Sequence, residues 1–192
     1  VCDSEGELSP EACDGLDNDC DGLIDAEDPD MEIPACELQE GLCAGLMKPA
    51  SLCADGSWSP CVAETYLAHS EAYEEGMEKS CDGADNDCDG VKDEDFKMVQ
   101  LDGSEIEGAG TSCGVGACSG GTTVCGTDKI SIICNSEEKA AEEVCDAVDN
   151  DCDGSLDASD PDLELPACEL TLGVCEGLTK PPGLCVGGEW EP

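Results

Sequence analysis

At 192 residues the chain has room for one domain or several small ones, but 18 cysteines and five aromatic residues leave little apolar bulk for a shared core. Forty-eight acidic residues against seven basic ones give a formal charge of −41, which excludes a phosphate-binding surface and makes cations the natural partners. Cysteine at this density points to an oxidising compartment, and the lack of any Cys-x-x-Cys pair, with His69 the single histidine, argues against a zinc protein.

Self-similarity organises the chain. Residues 1–10 read as the tail of a preceding repeat, because Cys2 stands 11 residues before Cys13 as Cys134 does before Cys145. Repeat A follows over 11–77 and carries Cys-Asp-Gly-Leu-Asp-Asn-Asp-Cys-Asp-Gly at 13–22. Asp55-Gly56 ahead of Trp58 marks a tight hairpin. Over 62–80, Tyr66, His69 and Tyr73 fall at helical spacing and read as a packing stripe. Repeat B, 78–142, has the same string at 81–90 and a Gly- and Ser-rich insert from Val99 to Gly121. Ahead of the third string, Asn135 and Glu138 have capping-box spacing for a helical turn. Repeat A′, 143–192, has its string at 145–154 and a Gly187-Gly188 turn ahead of Trp190, and it lacks a closing cysteine. Each cysteine from Cys2 to Cys53 has a counterpart 132 positions later, so the order is A, B, A′.

The acids are spaced for an ion. Counted from Asp17, loop A has Asp17, Asp19, Asp21, Asp25 and Asp28 at positions 1, 3, 5, 9 and 12, with Gly22 at position 6. Leu23 at position 7 offers a backbone carbonyl, and Ile24 anchors the loop. This is the order of an EF-hand-type calcium loop, in which alternate short carboxylates wrap a hard cation. Loop A′ repeats it with Asp149, Asp151, Asp153, Ser155, Asp157 and Asp160. Loop B has Asp85, Asp87, Asp89, Val91 and Asp93, but Phe96 stands at position 12, and Asp95 is the candidate replacement. The closing acid is Asp where the motif uses a bidentate Glu. Five carboxylates within twelve residues repel one another unless a divalent ion lies among them, so the expected cofactor is Ca2+, about three per chain.

The expected disulfide cysteines are Cys13, Cys20, Cys36, Cys43, Cys53, Cys61, Cys81, Cys88, Cys113, Cys118, Cys125, Cys134, Cys145, Cys152, Cys168 and Cys175. Nearest neighbours are the default pairs: Cys13 with Cys20, Cys81 with Cys88, Cys145 with Cys152. Each would close an eight-residue loop worth roughly 2.5 kcal/mol. Joined end to start, Cys185 and Cys2 would be separated as Cys125 and Cys134 are, which makes them inter-unit candidates at the seam of a longer array. No leading secretory segment is visible, so the chain reads as a mature or excised piece.

The repeated string, followed by Cys…Gly-x-Cys…Cys…Gly-x-Trp, resembles the MopE-type metal-binding repeat of bacterial surface and secreted proteins. The loops are also similar to thrombospondin type 3 repeats. The resemblance implies a secreted, multi-repeat, metal-binding protein in which calcium and disulfides replace a core. The family's copper site uses several histidines, and His69 alone does not supply them.

The expected fold is small, disulfide-rich and mostly irregular: tandem calcium-loop repeats with short β-hairpins and helical turns, and no large hydrophobic core. The expected function is an extracellular or cell-surface structural protein, a calcium-braced unit of an array, stalk or filament. Its partners would be copies of itself head-to-tail or flanking repeats, with no nucleic acid and no membrane span. A copper-binding or ion-scavenging surface protein and an adhesin module using 99–121 are the alternatives. No nucleophile–base set is present, so no enzyme is expected.

Overall fold

The computed structural model describes residues 9–170 and 172–192. It divides into two compact units, one running to Glu78 and including Ala84–Lys92, the other comprising Lys79–Gly83 and Asp93 onward. Their boundary passes through loop B, so the compact units do not coincide with the three sequence repeats.

The first unit contains β1 (Cys53–Ala54), β2 (Ser57–Trp58) and α1 (Ala63–His69). Strands β1 and β2 pair antiparallel through Asp55 and Gly56, with φ of 52° and 74°, as a two-residue primed turn requires. Helix α1 is seven residues long, too short to hold by propensity alone, and it buries Tyr66. The Tyr66 and Tyr73 rings stack with centroids 5.1 Å apart, so the stripe read at helical spacing is packed, although α1 ends before Tyr73. The cluster around them is completed by Cys36, Cys43 and Cys88, with Leu38, Leu42 and Leu46 against it. Sulfur does here what aliphatic side chains do in larger cores.

The second unit contains β3 (Lys97–Val99) paired with β4 (Glu105–Glu107), and a three-stranded sheet β5-β6-β7. The sheet strands are Ser112–Cys113, Gly121–Cys125 and Ile132–Cys134. Thr123, 1 % exposed, ties the sheet to the preceding chain by donating its hydroxyl to the Gly108 carbonyl at 2.6 Å. Phe96, Ile132 and Cys81 form its apolar cluster. The turn ahead of the third string is a 3-10 turn, Glu137–Lys139, with no side-chain cap. Asn135 is occupied elsewhere, its Oδ1 accepting the Thr122 N–H at 3.0 Å, which removes it from the expected capping box. Strands β8 (Cys185–Val186) and β9 (Glu189–Trp190) repeat the β1–β2 hairpin.

The cross-links follow one rule. The cysteine opening each string pairs with the hairpin cysteine of its own repeat: Cys13–Cys53, Cys81–Cys125 and Cys145–Cys185. A second bond, Cys36–Cys61 or Cys113–Cys134, closes repeats A and B. A third runs forward, Cys43 to Cys88 and Cys118 to Cys152, from one repeat into the loop of the next. Closing a span of about 40 residues contributes about 4 kcal/mol in the chain-entropy model, more than the nearest-neighbour pairs would. The expected nearest-neighbour pairs, Cys13 with Cys20, Cys81 with Cys88 and Cys145 with Cys152, are not formed. The position-4 cysteine sits between acids at positions 3 and 5. When those acids turn to a common centre, its side chain leaves on the other side and meets the preceding repeat. Cys185 is bonded within its own repeat and is not a seam residue, and Cys2 lies outside the described residues. Cys20 is disulfide-bonded, and Cys168 is a free thiol. The result is a small disulfide-rich, irregular fold with seven disulfides among the described residues.

Candidate metal-binding loops

Each loop is assembled on a glutamate that the motif count did not include. Glu11, Glu78 and Glu143 are almost fully buried, at 0 %, 3 % and 1 % exposure. Glu11 accepts the Asn18 N–H at 2.8 Å through Oε2 and the Asp25 N–H at 2.9 Å through Oε1. Glu143 does the same to Asn150 at 2.6 Å and Asp157 at 2.9 Å. Glu78 accepts from Asn86 at 2.7 Å. These bonds to a carboxylate acceptor fix positions 2 and 9 of loops A and A′, and position 2 of loop B, relative to the chain before each. The segments beyond loops A and A′ return to the same place, Glu32 and Glu164 donating to the Glu11 and Glu143 carbonyls. The available sequence signal was recurrence: Glu11 and Glu143 each stand two residues before the opening cysteine.

The position-9 acids form a brace. Asp25 Oδ1 accepts the N–H groups of Asp14 and Gly15 at 2.9 and 3.0 Å. Asp93 accepts from Asp82 and Gly83, and Asp157 from Asp146 and Ala147. Each brace lies beside the first disulfide of its repeat, where sulfur is already bonded to sulfur. The position-5 acids, Asp21, Asp89 and Asp153, accept the N–H of Leu23, Val91 and Ser155 at position 7, bending the chain around the centre.

In loop A the acids at positions 1, 3, 5 and 12 converge. Oxygens of Asp17, Asp19 and Asp21 lie within 4.8 Å of one another, as do those of Glu11, Asp19 and Asp28. Asp28 and Asp160, 5 % and 2 % exposed, use Oδ1 to accept from Asp30 and Asp162. Their Oδ2 atoms are buried with no hydrogen-bond donor, and so is Oδ1 of Asp85 and of Asp149 at position 1. A buried carboxylate oxygen without a donor is costly, and a cation at the centre removes the cost. The Asp30 N–H pulls the Asp28 carboxyl down, but burial and the carboxylates of Asp21, Asp19 and Glu11 outweigh it and hold Asp28 above the ordinary carboxylate range. Burial raises Asp151 likewise, against the Asp153 N–H and with Asp153, Asp160 and Glu143 adding to it. The residues fit a hard cation: every convergent donor is a carboxylate oxygen.

Loop B is organised differently. Asp85 and Asp87 are buried, while Asp95, expected to close the loop, is exposed. Phe96, at position 12, is 8 % exposed in the apolar cluster of the second unit. Glu94, not singled out from the sequence, has a buried Oε2. His69 lies in the last turn of α1, on a shallow apolar cleft with Leu46, Met47 and Pro49.

Three segments of the chain, residues 9–26, 70–94 and 138–158, match the family model Cu-binding MopE, described as a metal-binding motif. They overlap the three loops, stopping short of Asp28 and Asp160, and include Glu11, Glu78 and Glu143. No curated protein and no solved structure matches the chain. Among the described residues, no helix is long and apolar enough to cross a membrane.

Proposed function

We propose that this chain, three segments of which match the MopE-type metal-binding motif, is an extracellular structural protein whose loops bind Ca2+, as a unit of an array or filament. The observation that carries the calcium reading is the set of donorless buried oxygens on Asp28, Asp85, Asp149 and Asp160, with Asp28 grouped with Glu11 and Asp19. In loop A the ion would be held by Asp17, Asp19, Asp21 and Asp28, with Glu11 within reach, and its counterparts would act in A′. The bound ion would supply positive charge that offsets carboxylate repulsion and fixes the loop on its disulfides. Copper is the poorer match. The sequence has one histidine, and the cysteines nearest the loop centres are described as disulfides, so neither imidazole pairs nor thiolates are offered.

A structural role, not a catalytic one, is supported by the same inventory, since the candidate acids of loops A and A′ either accept backbone N–H groups or belong to the convergent set. The extracellular assignment is supported by the density of disulfides, which persist in oxidising surroundings. The test is metal content after dialysis against mixed Ca2+, Mg2+ and Cu2+ at physiological salt. About three Ca2+ per chain with little copper is expected. Stoichiometric copper, or no retained calcium, would overturn the reading.

A further inference from the structure

Repeats A and A′ build the same frame, and only one of the two is covered. In A, the Cys36 N–H donates to the Leu46 carbonyl and the Lys48 N–H to the Pro34 carbonyl, both at 2.9 Å. In A′, 132 positions on, the Cys168 N–H donates to the Leu178 carbonyl at 3.0 Å and the Lys180 N–H to the Pro166 carbonyl at 2.8 Å. Lys48 is held by the Glu37 carboxylate and the Ser59 carbonyl, and Lys180 by the Glu169 carboxylate and the Glu191 carbonyl. Both lysines are buried, so the frames agree in packing as well as in hydrogen bonding.

In A the frame carries the segment that follows β2. Cys36 is bonded to Cys61, whose N–H donates to Glu37 Oε2 at 2.9 Å. Five residues on, in α1, the buried Tyr66 shares a cluster with Cys36, and Leu38, Leu42 and Leu46 pack against it. The Tyr66 hydroxyl accepts the Leu38 N–H at 3.3 Å. In A′ the counterparts are bare. Cys168 is a half-buried free thiol; Leu170 and Val174 are 74 % and 96 % exposed, and Leu178 is exposed as well. Leu172, 87 % exposed, extends the patch. Aliphatic side chains grouped at this exposure mark an interaction surface. The chain does not cover it with its own aromatics, because both of its tyrosines are already packed in A.

We propose that this face of A′ docks a segment of another polypeptide that carries a cysteine and, five residues on, a tyrosine on a turn of helix, and that a disulfide from Cys168 closes the contact. The partner cysteine takes the place that Cys61 has in A, with its N–H on Glu169, and the tyrosine covers Leu170, Val174 and Leu178. The bond forms by exchange. The Cys168 thiol loses its proton to water and attacks the partner cysteine in a mixed disulfide with a small thiol. The new S–S bond forms and the small thiol departs as its thiolate, so no net oxidant is consumed. The proposal goes beyond the calcium reading and does not rest on it.

The probe is a synthetic peptide of residues 59–75 whose cysteine is the glutathione mixed disulfide, added to the 192-residue chain. A helix this short orders only on the surface that receives it, so the rate of conjugation, followed by intact mass, is a more sensitive readout than affinity. A scrambled peptide with its cysteine at the same place measures the intrinsic reactivity of Cys168. Conjugation at Cys168 is expected at least about tenfold faster with the probe than with the scrambled peptide. Val174→Asp in the chain, a change to an exposed side chain, and Tyr66→Ala in the peptide should each bring the rate down to the scrambled level. Val174→Leu should keep it. Equal rates for the two peptides, an unreactive Cys168, or a rate indifferent to Val174→Asp would overturn the proposal. So would a Cys168–Cys168 dimer that forms faster than the conjugate, because the covering partner would then be a second copy of the chain.

Discussion

Replacing Glu143 with alanine tests the claim that a buried glutamate organises each loop. Glu143 is 1 % exposed and its two oxygens accept the Asn150 and Asp157 N–H groups at 2.6 and 2.9 Å. Hydrogen bonds to an ionised acceptor contribute about 1.5–3 kcal/mol each, so losing both, with the Asp157 donor left buried and the Asn150 donor half-buried, costs roughly 3–6 kcal/mol. One effect opposes this. Glu143 also repels Asp151, so its removal eases crowding in the metal-free loop. The loss should therefore be larger in calcium than in chelator. Equilibrium denaturation with disulfides intact, followed by Trp190 fluorescence with Trp58 substituted, reports on the repeat concerned. Glu142→Ala is the control, because Glu142 is exposed and surface changes of that kind stay within about 0.5 kcal/mol. If Glu143→Ala proved as mild as Glu142→Ala, or cost the same with and without calcium, the glutamate would be no organiser.

Asp160→Asn keeps the shape of a buried side chain and removes its charge; calorimetric titration should lose about one high-affinity site per chain or weaken it at least about tenfold. An unchanged isotherm would remove Asp160 from the ligand set. Glu37 gives a pH signature. Hydrogen bonding from Lys48, helped by the Cys61 N–H, lowers its pKa from 4.5 to about 2. A depressed carboxylate stabilises above its unfolded pKa, so the stability gap between wild type and Glu37→Gln should hold above pH 4.5 and close as the pH falls towards about 2. A gap that ignores pH would refute the pairing. Gly188→Ala should destabilise A′ by about 1–3 kcal/mol in thermal unfolding, because Gly188 has φ 83° and a Cβ would lie 2.8 Å from the Asp146 carbonyl carbon. The same change at Gly177, where nothing lies within 4 Å, should cost only the backbone strain.

The amino-acid sequence by itself determined the class of fold and where its chemistry lies. Eighteen cysteines with five aromatics preclude a large core, and the three strings locate the loops, because alternate short acids with a glycine at position 6 have few other uses. The hairpins at Asp55-Gly56 and Gly187-Gly188 were legible for a local reason, since a two-residue primed turn needs positive φ at both positions. Pairing of the cysteines was not legible. It depends on which segments approach across about 40 residues, and local spacing favoured the eight-residue loops that the structure rejects. The division of labour among the acids was equally hidden. Asp25 and Asp28 look alike in the string, yet one braces the Asp14-Gly15 turn and the other holds a buried oxygen towards the centre. Glu11 stands outside the twelve-residue count and becomes central only when the chain folds back on it. Spacing specifies which side chains are available; which backbone N–H groups reach them first is settled by the tertiary approach, and only the oxygens left over are free to meet an ion.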